Sequence, residues 1–172
     1  MQSSEYIYEY YEEIVKPTVA EFLNHKYDLR KGRLAAIVLD HMRDYKVIQS
    51  DIRPEGRKNA TEVLMDSIKE DCFDLVLIRD VCNASKHCIL KAYSPDRPGV
   101  VTPRTLTKTD NIKTEKNEGI FCAPFSESMF GESNYVFIKF DQPIELNGEI
   151  ISSRFLHESI IEAVKYWDNE LS

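Results

Sequence analysis

The chain has 172 residues, of which 42% are hydrophobic and 30% charged, and this composition predicts one folded domain and excludes a disordered chain. The formal net charge of −7 argues against a broad nucleic-acid-binding surface. No apolar run approaches the length of a membrane span, and the acidic, tyrosine-rich start lacks the pattern of a secretory signal. We therefore expect a cytoplasmic protein with no membrane partner.

Apolar residues recur at helical spacing in three stretches of the first half of the chain. The first helix is expected to begin at one of the two serines near the start and to continue to about Tyr27. Pro17 either kinks this helix or starts a second one at its first turn. A further helix is expected over about 28–47, and a long one over about 57–86, because no glycine or proline interrupts that stretch.

The pattern changes after His87, where prolines, glycines and short apolar runs replace the helical spacing. A last helix is expected over about 152–171, with Ser152 or Ser153 as its cap. Short strands are predicted over 88–93, 100–106, 120–123, 135–140 and 144–146, with a polar loop over 110–118 and a tight turn at Asn147-Gly148.

Together these elements predict an α+β fold that is mostly α. It is an antiparallel bundle of about four helices, with a small antiparallel β element inserted before the last helix. The single domain covers 1–172, with its helical parts at 1–87 and 150–172 and the β insertion at about 88–149.

The strongest candidate for a functional site is the sequence that runs from Arg79 to His87. Arg79, Asn83 and His87 follow one another at four-residue spacing, so on a helix they share a face, with Lys86 beside them. An arginine can bind phosphate oxygens through two parallel hydrogen bonds, and a histidine can act as general acid or base near neutral pH. The alternative interpretation is a solvated polar face whose Lys86 and His87 favour the helix dipole.

A second candidate is the pair His41 and Asp44 on the second helix. His41 falls on the apolar stripe of that helix, which predicts that it points into the bundle. It is then either a core histidine paired with a carboxylate, or part of a site that faces His87. These three residues could also hold a metal ion, although we predict no metal and no cofactor because the Glu-x-x-His pairs of di-iron bundles are missing.

Basic residues are concentrated in one part of the chain. Residues 79–116 contain eight basic and four acidic residues, whereas 117–172 contain three basic and ten acidic ones. The aromatic residues Tyr135, Phe137 and Phe140 offer either a stacking surface or core packing. Core packing is favoured, because Phe137 and Phe140 cannot share one face of an alternating strand.

The sequence from Arg79 to His87 resembles HEPN-type proteins, small helical bundles of bacterial toxin and defence systems. The segment Asn83-Ala-Ser-Lys86-His87, with the ending Val164-Lys-Tyr-Trp167, is also similar to a group of uncharacterised bacterial and phage-borne proteins. The HEPN resemblance implies metal-independent RNA cleavage at a site shared across a homodimer. It assigns Arg79 to phosphate binding, His87 to acid–base catalysis and Asn83 to positioning them.

Two hypotheses of different class follow. The first is a HEPN-like protein of a bacterial or phage conflict system that binds RNA and cleaves it as an endoribonuclease, with Arg79, Asn83 and His87 catalytic and Lys86, His41 and Asp44 in binding. The second is a non-catalytic interaction module, such as an antitoxin or inhibitor, whose acidic surface binds a protein partner. The charge of −7 favours the second hypothesis.

Overall fold

The computed structural model describes residues 3–50, 53–90, 104–114, 135–146 and 148–172. It confirms the predicted class: the fold is α+β and mostly α, with a small antiparallel sheet before the last helix. Among the described residues, no helix is both long and apolar enough to cross a membrane. The helices are α1 (Ser3–Tyr10), α2 (Lys16–Leu23), α3 (Leu29–Gln49), α4 (Pro54–Asp71), α5 (Asp74–His87) and α6 (Leu156–Leu171), and the strands are β1 (Ile112–Thr114), β2 (Val136–Leu146) and β3 (Glu149–Phe155).

A π-helical segment, Tyr11–Val15, joins α1 to α2. Its wider turn lets the backbone N–H of Lys16 donate to the carbonyl of Tyr11, five residues earlier, and Pro17 lies in the first turn of α2. Pro17 therefore stands at the start of a second helical segment, one of the two predicted outcomes. The buried residues recur every four positions across this junction, at Ile7, Tyr11, Val15 and Val19.

The prediction of one long helix over 57–86 was wrong. The chain forms two helices, α4 and α5, separated at Cys72, whose φ of −148° and ψ of 90° are those of an extended residue. No glycine or proline marks the break. Asp74 begins α5, and its carboxylate accepts two hydrogen bonds from the Arg154 guanidinium, at 2.7 and 3.2 Å. A negative charge at a helix N-terminus is favourable, so this tertiary ion pair stabilises a new helix start there.

The sheet has the order β1-β2-β3, and both pairings are antiparallel. Strand β2 joins the two strands that were predicted separately over 135–140 and 144–146. The last helix begins at 156 rather than 152, because Ser152 and Ser153 lie in β3 and Phe155 precedes the first helical turn. Part of the predicted polar loop, 112–114, is strand β1. The predicted strand over 120–123 lies outside the described residues, as do 91–99 and 100–103.

Helix α3 is the centre of the bundle and contacts each of the other five helices. Gly32 lets the side chains of α2 and α6 approach the α3 backbone closely, because a Cβ there would lie 2.9 Å from Leu156 Cδ2 and 2.9 Å from Phe22 Cε2. Strand β1 packs against α3, and strands β2 and β3 pack against α6. Phe137 and Phe140 are both buried, as the core-packing interpretation predicted, whereas Tyr135 is only half-buried and lies outside the core.

Candidate functional site

Arg79 is directed into the protein. Its side chain is 7% exposed, and its Nε and one terminal nitrogen lie 2.9 and 2.8 Å from Oδ1 of Asp80. The Asp80 side chain has no solvent-exposed area. The guanidinium that the HEPN resemblance assigns to phosphate binding is therefore engaged by a neighbouring carboxylate.

Asp80 also anchors the segment that follows α5. Its Oδ2 accepts hydrogen bonds from the backbone N–H and the hydroxyl of Thr105, at 2.7 and 2.9 Å, and Arg104 lies 3.6 Å from Oδ1. Burial raises the pKa of the Asp80 carboxyl, and the Arg79 charge and the Thr105 hydrogen bonds oppose that shift. This network attaches the segment 104–109 to the middle of α5.

The other residues of the Arg79–His87 motif have different surroundings. The Asn83 side-chain amide donates to the backbone carbonyl of Arg79 at 2.8 Å, four residues earlier on the same helix. This local bond accounts for an asparagine in the helix interior. His87 and Lys86 are exposed in the last turn of α5. The motif thus places one cation inside the protein and presents an imidazole and an ammonium group at its surface.

The prediction that His41 points into the bundle was wrong. His41 is exposed, and its Nδ1 lies 3.2 Å from the hydroxyl of Tyr10. Asp40 and Arg43 occupy the inward face instead, as a buried ion pair. Asp44 is exposed and accepts a hydrogen bond from the Thr61 hydroxyl at 3.3 Å. In the described part of the chain, no group of three or more His, Cys, Asp and Glu residues could hold a metal ion, and His41, Asp44 and His87 form no such group.

A cluster of cations lies at the turn between α2 and α3, which the sequence analysis did not single out. Lys26, Arg30, Lys31 and Arg33 fall within eight positions, with Asp28 as the one carboxylate among them. Asp28 caps α3 by accepting from the Lys31 backbone N–H at 3.0 Å, and that hydrogen bond lowers the pKa of its carboxyl. Arg30 is exposed.

Tertiary contacts extend this cluster to residues 104–114. A terminal nitrogen of Arg33 donates to the carbonyls of Thr109 and Ile112, at 3.2 and 3.4 Å. Lys108 and Lys113, on either side of these carbonyls, are exposed, as is Asp110. We call Lys26, Arg30, Lys31, Lys108 and Lys113 the basic surface.

Lys86 and His87 border the basic surface. The Cys88 carbonyl accepts from the Thr109 backbone N–H at 2.7 Å, and Ile89 forms an antiparallel bridge with Lys108. Cys88 itself has a φ of +61°, which ends α5 and turns the chain toward this segment. The exposed end of the Arg79–His87 motif therefore adjoins a larger set of cations drawn from elsewhere in the chain.

Three rings pack together where β2 begins and β3 ends, and we call Tyr135, Phe155 and His157 the aromatic cluster. The Tyr135 and Phe155 rings meet edge to face, with centroids 5.9 Å apart, and the His157 ring lies 5.0 and 5.5 Å from them. The Lys26 ammonium lies 5.5 Å from the Tyr135 ring centroid, so the aromatic cluster touches the basic surface.

His157 supports a prediction about pH. Burial, together with the charges of Lys26 and Arg154, lowers its pKa to about 4, against about 6.5 in an unfolded chain. The folded state therefore binds fewer protons than the unfolded chain. The contribution of the neutral His157 to stability is complete above pH 6.5 and is lost as the pH falls toward 4. We expect the wild type to lose about 2 kcal/mol more than His157→Gln between pH 7 and pH 4.5, because each pKa unit is worth about 1.4 kcal/mol. Urea unfolding at the two pH values measures this difference, with the exposed His25→Gln as control. An equal loss in wild type and His157→Gln would contradict it.

The acidic residues are concentrated on another part of the bundle. Residues 3–23 contain five acidic residues and one basic, and α6 contains four acidic and one basic. The Tyr11 hydroxyl, which lies 3.0 Å from Asp168 Oδ1, joins these helices. Six of the exposed carboxylates of this region form what we call the acidic surface: Glu5, Glu9, Glu12, Glu13, Asp168 and Glu170.

Fold and site together define a helical bundle with a small sheet, a basic surface beside that sheet and an acidic surface on α1, the π-helical segment and α6. Comparison of the chain with protein-family models, with curated proteins and with solved structures gives no match.

Proposed function

We propose that the protein binds RNA through the basic surface. The observation that carries this proposal is the convergence of five cations from two distant segments, 24–33 and 104–114, joined by the hydrogen bonds of Arg33. Lysine and arginine side chains bind nucleic acids by neutralising phosphates and releasing condensed counterions. Lys86 and His87 extend the same surface, in agreement with the basic segment that begins at the Arg79–His87 motif.

The net charge of −7 does not oppose this proposal, because the charges are separated in space. Residues 3–23 and α6 together have nine acidic and two basic residues, and six of the nine carboxylates form the acidic surface. Tyr11, which contacts Asp168, lies about 13 helical residues, or roughly 20 Å, before the turn between α2 and α3 where the basic surface begins. That distance exceeds the Debye length of about 8 Å at physiological ionic strength.

The test is a titration of a fluorescent single-stranded RNA of about 20 nucleotides, followed by anisotropy between about 50 and 200 mM salt. We expect the triple variant Arg30→Gln/Lys31→Gln/Lys113→Gln to bind about 10- to 100-fold more weakly than the wild type. Its plot of log affinity against log salt should be shallower by up to about 2, since each lost phosphate contact removes about 0.7. These side chains are exposed or half-buried, so the fold should persist.

The matched control removes three charges of opposite sign, in Glu5→Gln/Glu9→Gln/Glu13→Gln. All three carboxylates are exposed on the acidic surface. This variant should bind RNA at least as tightly as the wild type. A wild type that does not bind RNA, or a basic-surface variant with unchanged affinity and salt dependence, would refute the proposal.

Several predictions depend on the HEPN resemblance and accompany this proposal. They are membership of a HEPN-like bacterial or phage conflict system, RNA cleavage involving His87 and a homodimer. The cytoplasmic location expected from the sequence composition is proposed with them. Sedimentation equilibrium at micromolar concentration checks the homodimer.

The second candidate is the interaction module, and the acidic surface is the observation that favours it. Tyr6 and Tyr8 are 55% and 43% exposed among its carboxylates, and aromatic residues contribute strongly at protein interfaces. A lysine-rich peptide is the probe. This becomes the better proposal if the wild type binds the peptide but not RNA, and if Glu5→Gln/Glu9→Gln/Glu13→Gln abolishes binding of the peptide.

A further inference from the structure

We infer that the aromatic cluster is a stacking platform for unpaired bases, which restricts the nucleic acid on the basic surface to single strands. The inference depends on the proposed function and names its substrate class. The inference starts from Phe155, because 45% of its area is exposed, whereas the other phenylalanines of the described sheet, Phe137 and Phe140, are buried. A large exposed aromatic ring next to cations is the arrangement found in proteins that bind single-stranded nucleic acids.

The neighbours of Phe155 hold its ring in position. Phe155 pairs with Phe137 in the sheet, which fixes its backbone, and the Tyr135 ring meets it at 86°. The His157 ring packs against both, with its centroid 5.5 Å from that of Phe155 and 5.0 Å from that of Tyr135. A ring that is already immobilised loses little conformational entropy when a base stacks on it.

One cation of the basic surface, Lys26, lies directly against this platform. The Val136 backbone N–H donates to the Lys26 carbonyl at 2.9 Å, which attaches the α2–α3 turn to the start of β2. The Lys26 ammonium therefore lies over the Tyr135 ring, and Arg30 and Lys31 follow in the next turn of chain. The low pKa of His157, which Lys26 and Arg154 lower further, agrees with a positive potential at the cluster. A strand whose base stacks on Phe155 can thus place neighbouring phosphates on the basic surface.

Stacking requires a base whose face is free. In a duplex the base faces are covered by their neighbours, and the groove edges and backbone are what a protein meets. Stacking on an aromatic side chain is therefore available to single strands and tolerates any base sequence, since every base has a π face. Duplex RNA retains only the electrostatic part of the binding.

The test compares Phe155→Ala with Ile150→Ala, a control on the same strand at an 80% exposed position. We expect Phe155→Ala to weaken binding of single-stranded RNA about 5- to 150-fold, with an unchanged salt dependence, as for loss of one stacked base. Phe155→Trp should retain the affinity, and it keeps the test valid if the alanine variant unfolds. Duplex RNA of the same sequence should bind more weakly and show no response to Phe155→Ala.

The outcomes separate the inference from the proposed function. Single-stranded RNA that binds wild type and Phe155→Ala equally well would overturn the platform and leave the basic surface standing. Duplex binding as tight as single-strand binding would also overturn it. A wild type that binds neither form would refute the proposed function itself.

Discussion

Replacing Asp80 with asparagine is expected to lower the free energy of unfolding by about 3–5 kcal/mol, the usual cost of removing one partner of a buried ion pair. The Asp80 side chain is fully buried, and its carboxylate accepts hydrogen bonds from Arg79 and from both donors of Thr105, the backbone N–H and the hydroxyl. Without its charge, the Arg79 guanidinium remains buried against a neutral amide. Urea denaturation at pH 7 measures the change.

Two further variants show whether the ion pair is the cause. Glu12→Gln removes an exposed partner of Lys16, and it should cost less than about 1 kcal/mol because surface ion pairs contribute little. Arg79→Met/Asp80→Asn removes both buried charges and keeps a side-chain oxygen that accepts from Thr105, so it should recover much of the loss seen in Asp80→Asn alone, because no buried charge is left unpaired. If Asp80→Asn is as mild as Glu12→Gln, the buried network does not stabilise the fold as described.

On the proposal that the protein cleaves RNA, the His87→Ala variant is expected to reduce cleavage about 10²- to 10⁴-fold, the usual contribution of a general acid or base, while RNA affinity changes little. His87 is exposed at the end of α5, next to Lys86 and the segment that contains Lys108. Its imidazole could take a proton from the ribose 2′-hydroxyl, which attacks the phosphate, or return one to the leaving 5′-oxygen. A denaturing gel of labelled single-stranded RNA, with a chelator present, measures the rate of product formation.

His25→Ala is the matched control, because His25 is also exposed and lies 3.0 Å from the ammonium of Lys31, within the basic surface. Cleavage that persists in His87→Ala, or that disappears in His25→Ala, would contradict the assignment of His87. The double variant Arg79→Met/Asp80→Asn, which keeps an acceptor for Thr105, then tests the remaining part of the HEPN resemblance. Full activity in that variant would show that Arg79 has a structural role, as its contact with Asp80 indicates.

The helices were predictable to the extent that local periodicity defines them. The apolar spacing in the sequence located the helical regions and the fold class, whereas the break at Cys72 and the start of α6 at Leu156 were missed. Both errors involve contacts between distant residues. Arg154 binds the carboxylate of Asp74 at the start of α5, and the pairing of β3 with β2 extends the strand through two serines that resemble a helix cap.

The candidate site was predicted less well than the fold. Helical spacing identified the common face of Arg79, Asn83 and His87, but not the inward direction of Arg79, which depends on Asp80 and Thr105. The cations from Lys26 to Arg33 were visible in the sequence, but residues 1–78 as a whole have eleven basic and fifteen acidic residues, and this acidic excess concealed them. A shorter window would have shown them.

The sequence alone determined the fold class and most helix positions, because those depend on contacts between residues a few positions apart. Only the tertiary structure decided which charged groups are inside and which cations share a surface. Asp80 and Thr105 are 25 positions apart, and Arg33 lies 76 and 79 positions from the carbonyls it binds. No local pattern encodes such pairings, since they depend on how the loops return to the bundle, and the burial that follows determines whether an arginine is a structural partner or a ligand for phosphate.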